Sequence, residues 1–306
     1  MKDLRIILVS ARPIFFTATL LPLLLGNIIG WYHSGEFNWF YFILAVLGII
    51  LLHAGTNLAD DYYDYKSGAD LAMKEATPFS GGSRVLPDKL IESKKILYAA
   101  LIVFFSGSLV GLYLNYLLKG NVILIFGLLG VFSGFFYTAD PVKLGYRGLG
   151  ELTVGITHGP LVVLGGYYLQ TQVLSWSAFW VSLPVGILVI LILMVNEFPS
   201  AEGYKEVNRR NLVVIWGKER CLKLYIFLLF LTYFFIVFGI VLKIMPLYTL
   251  IALFTLPLAF MLGKMIKINY DKIHELVPAK KMCIGLHLIF NLLLSGGYVL
   301  NRLIVG

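Results

Sequence analysis

Apolar runs of about 20 residues recur along nearly the whole chain, and each is long enough to cross a hydrocarbon core of about 30 Å as a helix. In lipid the backbone must satisfy its own hydrogen bonds, so a chain built of such runs folds as a bundle of helices. Of the 306 residues, 59% are hydrophobic and only 14% are charged. A soluble domain carries roughly a quarter charged residues, so too little polar sequence is left to cover these helices in water. Spans are expected at residues 12–31, 37–57, 94–117, 121–138, 149–169, 176–196, 219–242, 245–266 and 282–304. The expected fold class is all-α: a polytopic membrane protein of about nine transmembrane helices, forming a single domain over residues 1–306. The first run is as long as a span and follows Lys2, Arg5 and Arg12. It therefore reads as a first membrane helix rather than a cleaved leader. Cys221 and Cys283 stand alone, with no CxxC, no zinc spacing and no disulfide framework.

The connections alternate between long, charged segments and short, nearly uncharged ones. With the N-terminus and the charged segments on one side, that side holds 22 of the 25 Lys and Arg residues, leaving Lys119, Lys243 and Arg302 opposite. This bias predicts a cytoplasmic N-terminus and an external C-terminus in the cell membrane. The net charge of +8 thus answers to topology and anionic membrane lipid, not to nucleic acid. Of the 17 acidic residues, 16 fall on the same cytoplasmic side. Acidic residues do not set topology, so a polar site on that face is expected. Glycines such as Gly107, Gly111, Gly127, Gly130 and Gly134 suit close helix packing. Pro22, Pro160 and Pro184 lie inside spans, where freed carbonyls need partners.

The second span runs into NLADDYYDYKSGAD, residues 57–70. Asn57, Asp61 and Asp64 are spaced i, i+4 and i+7 and share one helix face, with Asp60 beside them. Like charges this close repel, so the cluster predicts a bound cation. By the same argument, removing one carboxylate should leave stability intact. Hard oxygen donors suit Mg²⁺, which takes phosphate oxygens and waters as further ligands. Beyond lie Lys66, Gly68 and Asp70, then GGSR at 81–84, where Gly-rich backbone and Arg84 suit either a phosphate clamp or a plain turn.

NLADDYYDYKSGAD followed by PFSGGSRVL resembles the first Asp-rich region of the UbiA-type intramembrane prenyltransferases, in the branch of the 1,4-dihydroxy-2-naphthoate polyprenyltransferases of menaquinone biosynthesis. RPIFFTATLLPLLLG at 12–26, YTADPVKLGYRGLGEL at 137–152 and NEFPSAEGYKEVNRRNLVVIWG at 196–217 are similar to the opening helix, the middle connection and the second Asp-rich region of that family. The resemblance implies a UbiA-type helical bundle with a cytoplasmic active site. The implied reaction is Mg²⁺-dependent transfer of a polyprenyl group from polyprenyl diphosphate to an aromatic acceptor, 1,4-dihydroxy-2-naphthoate first, with 4-hydroxybenzoate as an alternative. It assigns Asn57, Asp60, Asp61 and Asp64 to the metal, and Asp61, Asp64 and Arg147 to catalysis. Lys66, Asp70, Arg84, Tyr137, Lys143, Tyr146, Lys205 and Arg209 are the candidate substrate contacts.

The second region departs from the family pattern. Ser200 and Tyr204 stand where two aspartates are expected, Asn208 replaces a Gly, and Ile215–Trp216 replace Arg–Leu. Ser and Tyr offer hydrogen bonds but no carboxylate charge. On a helix, Glu197 would share a face with both, which makes it a candidate substitute metal ligand. Glu202 and Glu206 read as a solvated pair, and His158 as a hydrogen-bonded packing residue inside a span. Two rival readings remain open at this level: a membrane transporter, and a homologue that binds isoprenoid diphosphate without turnover.

Overall fold

The structure, a computed structural model, describes residues 2–72 and 82–305. A short helix α1 (Lys2–Ser10) leads through a 3₁₀ turn, Pro13–Phe16, into α2 (Thr17–Ser34). Helix α3 (Trp39–Ser67) is capped by Asn38, whose side chain accepts from Tyr41 N at 3.1 Å, and ends at Gly68, φ 85°. A single turn α4 (Ala69–Ala72) follows. Then come α5 (Ser93–Leu117), α6 (Val122–Phe135), and a span in three parts: α7 (Gly150–Ile156), a π turn at Thr157–Leu161, and α8 (Val162–Thr171). The remaining elements are α9 (Trp176–Glu197), the short α10 (Ala201–Glu206) and α11 (Leu212–Trp216), α12 (Lys218–Val241), a 3₁₀ segment Leu247–Thr255 running into α13 (Leu256–Asn269), and α14 (Val277–Ile304).

Among the described residues, eight helical stretches are long and apolar enough to cross a membrane. The expected span at 121–138 is the apolar α6, whose 14 helical residues reach about 21 Å at 1.5 Å per residue. The chain is thus an all-α integral membrane protein, with eight long apolar helices and one short one among the described residues. Helix α3 continues beyond the expected span end at residue 57 as far as Ser67. The first acidic motif is therefore carried on a rigid helix end.

Helix α9 is the innermost span: 72% of its apolar window is buried, against 22% for α5. Around it α2 packs on α8, α12 on α9, and α14 on α2, while α3, α5 and α6 form a second group. Small residues set the closest crossings. A Cβ on Gly166 would lie 2.6 Å from Leu23 O, and one on Gly159 would lie 2.7 Å from Gly186 Cα, so these backbones touch because Gly166 and Gly159 carry no side chain.

Candidate active site at one end of the bundle

Each acidic side chain on the last turns of α3 has its own partners. Asp61, 2% exposed, accepts from Ser10 Oγ at 2.5 Å, from Ser83 N at 3.2 Å and from Ser83 Oγ. Asp60 accepts from Thr138 Oγ1 at 3.0 Å. Arg12 lies 3.5 Å from Asp60 and 3.8 Å from Asp61, and also donates to Asn57 O at 3.0 Å. It reaches them because its own backbone is left-handed, φ 50°, between α1 and the Pro13 turn. Asn57 donates through Nδ2 to Ala11 O at 2.7 Å. Asp64 accepts from Tyr146 Oη at 2.7 Å and pairs with Arg209. The expectation of mutual repulsion is thereby corrected: two guanidinium groups and several hydroxyls offset the crowded carboxylates.

The second motif meets the first through Arg209. Its backbone N donates to Tyr204 O at 2.9 Å, which folds the segment after α10 back on itself. The guanidinium carbon sits 4.5 Å from the Tyr204 ring centre and 5.1 Å from that of Tyr146. Burial pulls the Arg209 pKa down, but the Asp64 charge with Tyr204 and Tyr146 outweighs it and holds the group well above its ordinary value. Burial pushes the Tyr204 hydroxyl up to about 12. Asp70 is pushed well above the carboxylate range by burial, with the charges of Asp64 and Asp61 adding to the effect. Burial, with Glu197 adding to it, likewise raises Tyr137 well above its ordinary value.

These groups form the head of a cavity of about 340 Å³. Arg12, Asn57, Asp60, Asp64, Tyr137, Asn196, Glu197, Tyr204 and Arg209 line its polar end. The rest is apolar and runs between Leu23, Ile49, Leu52, Phe126, Leu161 and Leu169. Gly111 and Gly127 lie on this wall, and a Cβ at either would meet nothing within 4 Å. Partway along stand His53 and His158, with ring centres 5.6 Å apart. His53 Nδ1 is 2.5 Å from Thr19 Oγ1, and His158 Nδ1 is 3.0 Å from Val154 O.

Of the candidates expected from sequence, the fold brings Asn57, Asp60, Asp64, Tyr137, Glu197 and Arg209 onto one cavity wall. Tyr146 stands directly behind Asp64 and also meets Ser67 Oγ at 2.5 Å. Asp61 is held behind the wall by Ser10 and Ser83. Asp70 lies against Gly82, where an added Cβ would come 2.5 Å from its Oδ1. Arg84 donates to Asp70 O at 3.1 Å and pairs with Asp88 at 3.3 Å. Lys143 pairs with Asp140 at 2.9 Å. Arg147 is exposed and donates to Pro141 O at 2.9 Å, and Lys66 and Lys205 are exposed outside the cavity. Gly81 of the GGSR turn lies outside the described residues. Glu202 and Glu206 are exposed, in keeping with a solvated pair.

Sequence reasoning gave no site role to Arg12, Ser10, Ser83, Thr138, Asn196 or His53. A signal existed for Arg12, which directly precedes Pro13 at the mouth of the first span. Its partners lie about 50 residues away, and the chain carries no local trace of that pairing.

The donor chemistry at the cavity head fits a hard divalent cation. Asn57 commits its Nδ2 to Ala11 O, which leaves its carbonyl oxygen available beside Asp60 and Asp64. Among the described residues no three acidic, His or Cys side chains could enclose a metal ion by themselves. The oxygen donors of Asn57, Asp60 and Asp64 at the cavity head suit a cation that completes its shell with phosphate oxygens and water, as Mg²⁺ does. Tyr204 lines the cavity without a carboxylate charge and stacks on the Arg209 guanidinium, and Ser200 is not among the lining residues.

Residues 19–284 match the UbiA prenyltransferase family, and the chain belongs to it; it is a prenyltransferase. Among its relatives, the 1,4-dihydroxy-2-naphthoate octaprenyltransferase of Bacillus subtilis is 30% identical over 68% of this chain and 65% of the relative. The 2-carboxy-1,4-naphthoquinone phytyltransferase of Synechocystis is 26% identical over 95% of this chain and 92% of the relative. The UbiA prenyltransferase domain-containing protein 1 of Xenopus tropicalis is also 26% identical, over 94% and 81%. In fold the chain is similar to a UbiA homologue from Archaeoglobus fulgidus solved bound to GPP and Mg²⁺, with a TM-score of 0.68 at 14% identity over 95% of this chain and 99% of that one.

Proposed function

We propose that this protein transfers a polyprenyl group from polyprenyl diphosphate to an aromatic quinone precursor, 1,4-dihydroxy-2-naphthoate, at the cytoplasmic face of the cell membrane. One observation carries the reading: a single cavity is charged at its head and apolar along the rest of its length, the shape of a prenyl diphosphate. The naphthoate and naphthoquinone prenyltransferases among the relatives support the choice of acceptor.

Asn57, Asp60 and Asp64 would hold the metal, with Asp61 supporting them from behind. Bound Mg²⁺ would supply positive charge to the departing diphosphate. Arg12 and Arg209 hold their own charges beside the same oxygens and need no reorganisation when the C–O bond breaks. Both electrons of that bond leave with the diphosphate. The apolar wall keeps water from the allylic cation, and the acceptor ring then attacks it to form the new C–C bond.

The test is incubation of purified protein with Mg²⁺, a radiolabelled polyprenyl diphosphate and a panel of aromatic acids, followed by product mass analysis. Prenylated naphthoate is the expected product. Prenylated 4-hydroxybenzoate alone would reassign the acceptor. Diphosphate binding without any product would identify a non-catalytic binder.

The apolar wall makes a separate prediction. Phe at Gly127 fills space that is now open and should shorten the accepted tail. We expect Gly127→Phe to keep turnover of a ten-carbon donor while kcat/KM for long donors falls at least about tenfold, the effect of some 1.4 kcal/mol. An unchanged chain-length profile would move the tail elsewhere.

Sidedness can be read independently. Single cysteines replacing the exposed Lys205 and Lys272 should be labelled from the cytoplasmic side, and those replacing the exposed Lys119 and Lys243 from outside. Cys221 and Cys283 are buried and should stay silent. Labelling of positions 205 and 272 from opposite sides would break the topology.

A further inference from the structure

Two imidazoles interrupt the apolar part of the cavity. His53 and His158 both line it, half-buried, with ring centres 5.6 Å apart and ring planes at 78°. Ionisable side chains inside a span are costly, and they face a bundle interior or a cavity. A prenyl tail brings nothing for them to bond, and the diphosphate belongs among the charges at the head. The pair therefore answers to a different, polar occupant.

Placement and bonding state what that occupant offers. His53 precedes Asn57 by four residues on α3, so the two share a face with about 6 Å of rise between them. The pair thus adjoins the head of the cavity. His158 lies in the π turn Thr157–Leu161, a geometry rare in helices but recurrent at functional sites. Gly159, the next residue, presses on Gly186 of α9, which holds the turn in place. His158 Nδ1 lies 3.0 Å from Val154 O, an atom that can only accept. Thr157 Oγ1 is 3.1 Å from the same nitrogen but gives its own proton to Thr153 O at 2.8 Å. Nδ1 therefore carries the ring proton, and Nε2 is left as an acceptor. His53 Nδ1 meets Thr19 Oγ1 at 2.5 Å. That hydroxyl can donate or accept, so His53 Nε2 can present either a proton or a lone pair. Among the described residues neither Nε2 has a hydrogen-bond partner. A flat, apolar ligand that carries hydroxyl donors fits such a pair.

We infer that His53 and His158 form the seat of the aromatic acceptor, with His158 Nε2 accepting the hydrogen bond of a ring hydroxyl. This rests on the prenyl-transfer reading and adds the acceptor's place to it. A hydroxyl that donates to an imidazole pushes electron density into its own ring, which favours attack on the allylic cation. A methylated ring oxygen has no proton to give and loses that bond.

The experiment loads wild type, His53→Phe and His158→Phe with Mg²⁺ and the unreactive geranyl S-thiolodiphosphate. It then measures anaerobic binding of 1,4-dihydroxy-2-naphthoate and of its dimethyl ether. Wild type should bind the diol at least about tenfold more tightly than the ether, as one hydrogen bond allows. Diol binding should weaken by a similar factor in each variant, and in His158→Phe the difference between diol and ether should collapse. Affinity for Mg²⁺ and the thiolodiphosphate should be unchanged throughout, which also reports that the variants are folded. The two substitutions are independent, so a folding failure in one leaves the other to decide. Unchanged diol affinity in the variants overturns the seat, and so does a wild type that binds the ether as tightly as the diol or binds neither. Loss of thiolodiphosphate affinity with diol binding retained overturns it too, and assigns the histidines to the donor's tail. Failure of wild type to bind the thiolodiphosphate at all would instead sink the prenyl-transfer reading.

Discussion

Asp64→Ala should abolish prenyl transfer and also destabilise the protein by about 3–5 kcal/mol, the usual effect of removing one partner from a buried ion pair. The Asp64 and Arg209 side chains are 8% and 7% exposed and paired, and Tyr146 donates to the same carboxylate at 2.7 Å. Without Asp64 a guanidinium is left buried between two tyrosine rings without its ion-pair partner. Adding Arg209→Met to Asp64→Ala should restore most of the stability, because no uncompensated charge remains, while activity stays lost. The measurements are the apparent midpoint of thermal unfolding in detergent without Mg²⁺, and product formation with it. An Asp64→Ala protein as stable as wild type would show that the pair contributes nothing to the fold. This outcome separates the two views of the motif: carboxylate crowding predicts no loss of stability, whereas the observed pairing predicts a large one.

Arg12→Met should lower kcat by about 10²-fold, the loss expected when one preorganised charge is removed from a developing anion. The same change should raise apparent Mg²⁺ affinity. Arg12 stands 3.5 Å from Asp60 and 3.8 Å from Asp61, where its charge competes with a cation for the same carboxylates. Turnover against Mg²⁺ concentration separates the effects: kcat falls while the half-saturating Mg²⁺ concentration falls too. Met retains most of the aliphatic packing, so the helix entry at Pro13 should hold. If kcat is unchanged, Arg12 serves only to anchor Asn57 O, and the charge at the diphosphate comes from elsewhere.

Much of the fold was legible in the chain because lipid leaves few options. Apolar runs of membrane length must be helices, and their ends are marked by charge, so the positions of the spans follow from local sequence. The first motif was equally legible, since Asn57, Asp60, Asp61 and Asp64 lie within two helical turns of one another. The extent of α3 was not: polar composition after residue 57 ends the expected span, yet the helix continues to Ser67, where Thr138, Ser10, Ser83, Arg12 and Arg209 neutralise or hydrogen-bond its acids.

Helix-face arithmetic placed Asn57, Asp61 and Asp64 together, but the cavity takes Asn57, Asp60 and Asp64. Which side of a helix faces a cavity depends on what packs against the other side, and Ser10 and Ser83 claim Asp61. In the same way the spacing of Glu197, Ser200 and Tyr204 assumed one continuous helix, whereas α9 stops at Glu197 and α10 begins at Ala201. The residue classes at the site, acids, arginines and tyrosines beside apolar spans, are properties of the sequence alone. Their pairing, Arg209 with Asp64 across 145 positions and Arg12 with Asn57 across 45, is decided only when the helices pack. A buried charge takes its partner from whichever element the packing brings within reach, and no local pattern encodes that distance.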